Sequence, residues 1–166
     1  KAFNEIILRT MGIVQKKYSA FAPCVPCHLF FHMFRLPILK HFKITNLISG
    51  ERVQHSKRIK LNQTREILEF FQSKIESLGI NLIQPLMEIV DNQDIENIIL
   101  ESKANYEKLN GTEFNHKIIP DECIFSRSSD DEHGNPVFEP SQILIELQEF
   151  YYPKMYSFLK DDLNLD

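Results

Sequence analysis

The sequence predicts an all-α fold: one irregular helical domain of about five to six helices over residues 1–166, with a long aperiodic arm at about 112–140. Three observations carry this reading. Apolar residues recur at intervals of three and four in several separate segments. Only five glycines occur in 166 residues, few for an all-β sandwich or a Gly-looped nucleotide fold. Hydrophobic residues make up 43% and charged residues 25%, a balance that supports a folded core rather than disorder.

The first element is expected at residues 2–18, where Phe3, Ile6, Ile7, Met11, Val14 and Tyr18 share a helical face and Lys16 and Lys17 occupy the last turn. Pro23 and Pro26 interrupt it, and a second helix is expected to open with Pro26 near its first turn. Residues 18–34 contain no Asp, Glu, Lys or Arg, whereas Lys16, Lys17, Arg35, Lys40 and Lys43 flank them. A membrane-spanning helix needs roughly 20 mostly apolar residues, so a buried core helix is the favoured reading and an interfacial, lipid-contacting helix the alternative.

Residues 46–61 read as a loop or short strand with a cationic cluster of Arg52, His55, Lys57, Arg58 and Lys60. A helix follows at about 63–78, with Asn62 as its cap, an apolar stripe of Ile67, Phe70, Phe71, Ile75 and Leu78, and Gly79 as its stop. Residues 82–90 read as a short helix opening near Pro85. A further helix from Asp94 to Asn110-Gly111 carries Ile95, Ile98, Ile99, Tyr106 and Leu109, and short connections predict antiparallel packing of these neighbours. The arm at 112–140 has no sustained period, and helix returns at 141–163 with a kink or split at Pro153. Asn62-Gln63-Thr64 and Asn110-Gly111-Thr112 match glycosylation triplets, but a helix cap and a helix-ending turn explain them locally.

Charge divides the chain. Residues 1–60 hold 11 Lys+Arg against two acids, Glu5 and Glu51, and residues 61–166 hold eight against 21. The basic end is suited to an anionic partner, although attraction between the two halves on folding explains the split equally well. The three cysteines, Cys24, Cys27 and Cys123, argue against a secreted disulfide scaffold and for an intracellular setting. The chain starts at Lys1 rather than Met, so the lack of a targeting segment is uninformative.

Cys24-Val25-Pro26-Cys27-His28 is the sharpest local pattern. The pentapeptide resembles the attachment motif of c-type cytochromes, and the resemblance covers five residues of 166. It implies thioether bonds from Cys24 and Cys27 to haem c, with His28 as an axial ligand. Independently, Cys24, His28 and His32 recur every four residues beside Cys27, a donor set that suits zinc. The favoured reading is structural: buried cysteines and hydrogen-bonded histidines on a core helix. Thioredoxin-like redox chemistry lacks its βαβ context, and a cysteine–histidine hydrolase lacks a local signature. In the arm, Asp130, Asp131 and Glu132 lack calcium-loop spacing, and Ser128 and Ser129 resemble acidophilic phosphorylation sites only briefly.

The expected function is therefore that of a non-catalytic helical interaction protein, an accessory subunit of a larger assembly of other protein subunits. An organellar membrane complex, such as a mitochondrial one, is one setting. Phe21, Phe30, Phe31 and Phe34 are expected to touch protein or lipid, and Arg35, Lys40, Lys43, Arg52, Lys57 and Arg58 to meet anionic groups, with lipid contact through residues 18–45. A haem- or metal-bearing redox protein is the first alternative, and a nucleic-acid-binding module through residues 35–60 the second.

Overall fold

A computed structural model describes residues 4–18, 23–53, 60–111 and 139–163. They form a predominantly helical domain. The order is a π-helical turn (Asn4–Leu8) leading into α1 (Arg9–Tyr18), then α2 (Cys24–Met33), α3 (Leu36–His41), β1 (Asn46–Ile48), a 3₁₀ turn (Leu61–Gln63), α4 (Arg65–Glu76), β2 (Asn81–Ile83), α5 (Asn92–Asn110), α6 (Pro140–Glu146), a π-helical stretch (Leu147–Tyr151) and α7 (Tyr152–Leu163).

The core is built where the apolar stripes meet. Helix α2 places Val25, Leu29, Phe30 and Met33 inside and packs on α4 and α7. Helix α4 contributes Ile67, Leu68, Phe70, Phe71 and Ile75, and packs on α6 and β2. The C-terminal helices close the core with Ile143, Leu147, Tyr151, Met155 and Leu159. Aromatic rings join these layers: Phe34 stacks on Phe30 at 4.6 Å and on Phe158 at 5.9 Å, while Lys74 lies over the rings of Phe70 and Tyr152. Within segment 18–34, Val25, Leu29, Phe30 and Met33 are thus core, whereas Phe31 faces solvent. Among the described residues no helix is long and apolar enough to cross a membrane.

Several expectations are corrected. Asn62 does not cap α4; Thr64 precedes the helix in extended geometry, and Asn62 is buried in the 3₁₀ turn. Residues 82–90 are not a helix. Asn81–Ile83 is a strand paired in parallel with β1, in the register Asn46↔Asn81, Leu47↔Leu82 and Ile48↔Ile83, and a turn follows over 85–88. The bidentate pair of Arg65 with Glu88, at 2.8 and 2.7 Å, ties that turn to the first residue of α4.

Helix α5 starts two residues earlier than predicted, because Asp91 accepts a hydrogen bond from the Gln93 N–H at 2.8 Å and caps it. It ends as predicted at Gly111, in the left-handed region at φ 66°. The predicted antiparallel packing of α5 is absent: among the described residues it has no extensive contact with another element and buries none of its residues. Pro153 does not split α7. The run stays helical from 140 to 163, and Pro153, which has no N–H to donate, directly follows a π-helical stretch that absorbs the change of register.

Candidate functional site

Helix α2 carries His28 and His32 one turn apart, on the side that faces the segment leaving β1. That segment, Ser49 to Arg52, begins immediately past the carboxyl end of β1, the side of a parallel sheet on which ligands of open α/β folds bind. Glu51 is buried there and gathers the polar side chains around it. In the Nδ1–H tautomer His28 donates to Glu51 Oε1 at 2.6 Å, and Asn62 Nδ2 donates to His28 Nε2 at 3.1 Å. Gln63 donates through Nε2 to the other carboxylate oxygen, Oε2. The 3₁₀ turn is what delivers Asn62 and Gln63 as neighbours, both buried.

Burial pushes the Glu51 carboxyl up, but the hydrogen bonds from His28 and Gln63 and the nearby imidazoles outweigh it and hold the group below its ordinary range. His32 behaves oppositely. Burial lowers it to about 4, with Glu51 opposing and the neighbouring His28 and Arg35 adding to the effect. Its Nε2 lies 3.9 Å from Glu51 Oε1, and neither ring nitrogen has a hydrogen-bond partner among the described residues; the ring packs 5.6 Å from Phe71. The expectation of two hydrogen-bonded histidines therefore holds for His28 and is corrected for His32. Gln63 Oε1 and Thr64 Oγ1 also lack partners in this cluster.

A carboxylate that orients an imidazole is the arrangement of a general base. Here the nitrogen that would take the proton, Nε2 of His28, is occupied by Asn62. The cluster as it stands is a hydrogen-bonded tie that fixes α2 to the segment after β1 and to the 3₁₀ turn. The same contact bears on the haem reading, since axial ligation through Nε2 needs Asn62 displaced. The zinc set Cys24, Cys27, His28 and His32 is not assembled: among the described residues no group of three or more His, Cys, Asp or Glu side chains is placed to hold a metal ion. Cys24 and Cys27 are partly buried thiols.

The predicted contact residues divide. Phe30 is buried, so its assignment to a partner contact is corrected, and Phe34 is half-buried in the aromatic stack. Phe31 is exposed at 54%; Arg35 and Lys43 are exposed too, whereas Lys40 and Arg52 are half-buried. Phe21, Lys57 and Arg58 lie outside the described residues, as do His55, Cys123, Ser128 and the acids at 130–132. So does the arm over 112–138.

Sequence reading missed Glu51, Asn62 and Gln63 as partners of His28. One signal was present. Glu51 is one of two acids among the first 60 residues, and an isolated carboxylate in a basic segment invites a search for what it pairs with. A second feature was also missed: large apolar side chains stand exposed in succession at Ile38 (59%), Phe42 (65%), Ile44 and Ile48 (68%), with Ile83 beside Ile48 on β2. A shallow acidic depression lined by Glu88, Val90, Asp94 and Ile98 marks the start of α5.

No protein-family profile matches the chain, and no solved structure matches it. An uncharacterized protein of the archaeon Methanocaldococcus jannaschii is 30% identical over 161 residues, 97% of this chain and 54% of the relative. The chain spans about half the length of the relative it matches.

Proposed function

We propose that this chain is a non-catalytic helical interaction module, one part of a larger protein or assembly, that binds another protein segment through its α3–β1–β2 face. One observation carries the reading: four large apolar side chains, Ile38, Phe42, Ile44 and Ile48, stand exposed close together in the chain, apolar area of a kind that soluble monomers seldom leave uncovered. Arg35 and Lys43 interleave with it and suit an acidic rim on the partner. The His28–Glu51 cluster is then a structural clamp that holds α2 and the end of β1 in place beneath that face. The relative's archaeal source lends the mitochondrial setting no support.

The test is a set of lysine substitutions at Ile38, Phe42 and Ile48, followed by thermal unfolding and binding of a dye that fluoresces on apolar surface. These side chains face solvent, so Tm is expected to stay within a few degrees while dye fluorescence falls. A drop in Tm of roughly 10 °C or more would mean that the residues belong to this chain's own core, and would overturn the proposal. The redox alternative through Cys24, Cys27 and His28 predicts a visible absorption band in the purified protein. The nucleic-acid alternative predicts binding through residues 35–60 that weakens steeply with salt. Dependence on anionic vesicles instead of a protein would transfer the face to a lipid surface.

A further inference from the structure

A helical module has no need of the parallel pair β1–β2. Parallel strands occur almost always in sheets covered on both faces, and a two-stranded sheet alone is marginal in water. Here one face is covered: Leu47 and Leu82 are buried, and α4 packs against β2. The opposite face is not. It presents Asn46, Asn81, Ile48 and Ile83, all exposed.

The edge of β1 is open as well. The Asn81 N–H donates to the Thr45 carbonyl at 2.8 Å and the Ser49 N–H to the Ile83 carbonyl at 2.9 Å, so the main-chain groups of Thr45 and Ser49 point toward β2. Direction alternates along a strand, which turns the N–H and C=O of Asn46 and Ile48 to the other side. Among the described residues no strand lies there. Exposed edges are normally blunted by lysine or proline, and Asn46-Leu47-Ile48 has neither.

We infer that the open edge of β1 receives a parallel strand from further α/β polypeptide, whose helix covers Ile48 and Ile83, making this domain one flank of a wider parallel sheet. The inference rests on the interaction reading above and names its partner. Two findings favour this occupant over a second copy of the chain. Strand β1, helix α4 and strand β2 already form a βαβ unit, the repeat from which parallel sheets grow by adding the same unit alongside. The M. jannaschii relative, of which the chain spans 54%, carries further polypeptide of comparable length. A second copy related by a two-fold axis would instead place two β1 edges antiparallel.

The deciding experiment is the structure of the full-length M. jannaschii relative. The expected result is a strand parallel to the equivalent of β1, bonded on the Asn46 and Ile48 side, with a helix over the Ile48 and Ile83 positions. A helix or second subunit on that face, with no strand on the edge, would overturn the sheet inference and leave the interaction reading standing. Solvent on both would overturn both. In the isolated chain, the amides of Asn46 and Ile48 are expected to exchange with deuterium roughly tenfold or more faster than those of Leu47 and Ser49. Equal protection would contradict an open edge.

Discussion

Helices α4 and α5 have the same kind of sequence and opposite fates. Both have an apolar stripe at helical spacing and a glycine in left-handed geometry close behind, Gly79 and Gly111. Yet α4 buries Ile67, Leu68, Phe70, Phe71 and Ile75, whereas α5 leaves Ile98, Leu100, Tyr106 and Leu109 exposed, the last at 84%. Capping and period are local properties, and they make a helix in either case. What a stripe packs against depends on chain elsewhere, so the contrast separates residues that hold this domain together from residues that do not.

The largest expected effect follows directly. Phe71→Ala removes a fully buried ring and should cost about 3–5 kcal/mol in urea unfolding, while Ile98→Ala on α5 should stay within about 0.5 kcal/mol. Equal losses would break the comparison. Next comes the polar clamp beside Phe71. Because His32 titrates near 4 in the fold and near 6.5 when unfolded, the unfolded chain binds the extra proton between those values. The stability is therefore complete above pH 6.5 and lost on acidification toward pH 4, by on the order of 3 kcal/mol. His32→Phe should flatten that part of the stability profile, which unfolding curves at pH 4.5 and 7 would show.

Glu146 gives the opposite sign at the other wall of the core. Burial raises its carboxyl to about 7, with a hydrogen bond from Gln142 opposing, and its Oε1 has no partner among the described residues. A group raised this way stabilises fully below its unfolded value of 4.5 and loses that contribution as pH climbs to about 7. Glu146→Gln should therefore stabilise by about 2 kcal/mol at pH 8 and by almost nothing at pH 4. The smallest effect returns to α5. Gly111→Ala strains a left-handed residue, and it should fray the end of that helix in amide exchange at a cost of about 1 kcal/mol or less to the whole domain.

Much of the helical order was legible because its signals are local. The stripe of α4, the glycine after it and the Asn110-Gly111 stop each depend on residues within a turn or two. Apart from the Asp91 cap of α5, which is local, the main misses are non-local. Asn62 carries the signature of a cap but is taken by His28, 34 residues away in sequence. Asn81-Leu82-Ile83 offers no period to read, and becomes a strand because Asn46-Leu47-Ile48 lies beside it. The site follows the same rule: the His28–His32 spacing was visible on α2, whereas the carboxylate that organises it arrives from the far end of β1. The aromatic segment was read as a contact surface or a core helix, and packing assigns Phe30 to the core and leaves Phe31 outside.

The central claim is that the exposed face from Ile38 to Ile48 belongs to an interface, and size-exclusion chromatography with light scattering on the purified chain, with and without mild detergent, tests it most directly. With its partner polypeptide missing, the isolated chain is predicted to associate non-specifically through the uncovered face as concentration rises, in a way that detergent relieves and that lysine at Ile38, Phe42 and Ile48 abolishes. A wild-type chain that stays monomeric at high concentration without detergent, with the lysine variant eluting identically, would contradict it.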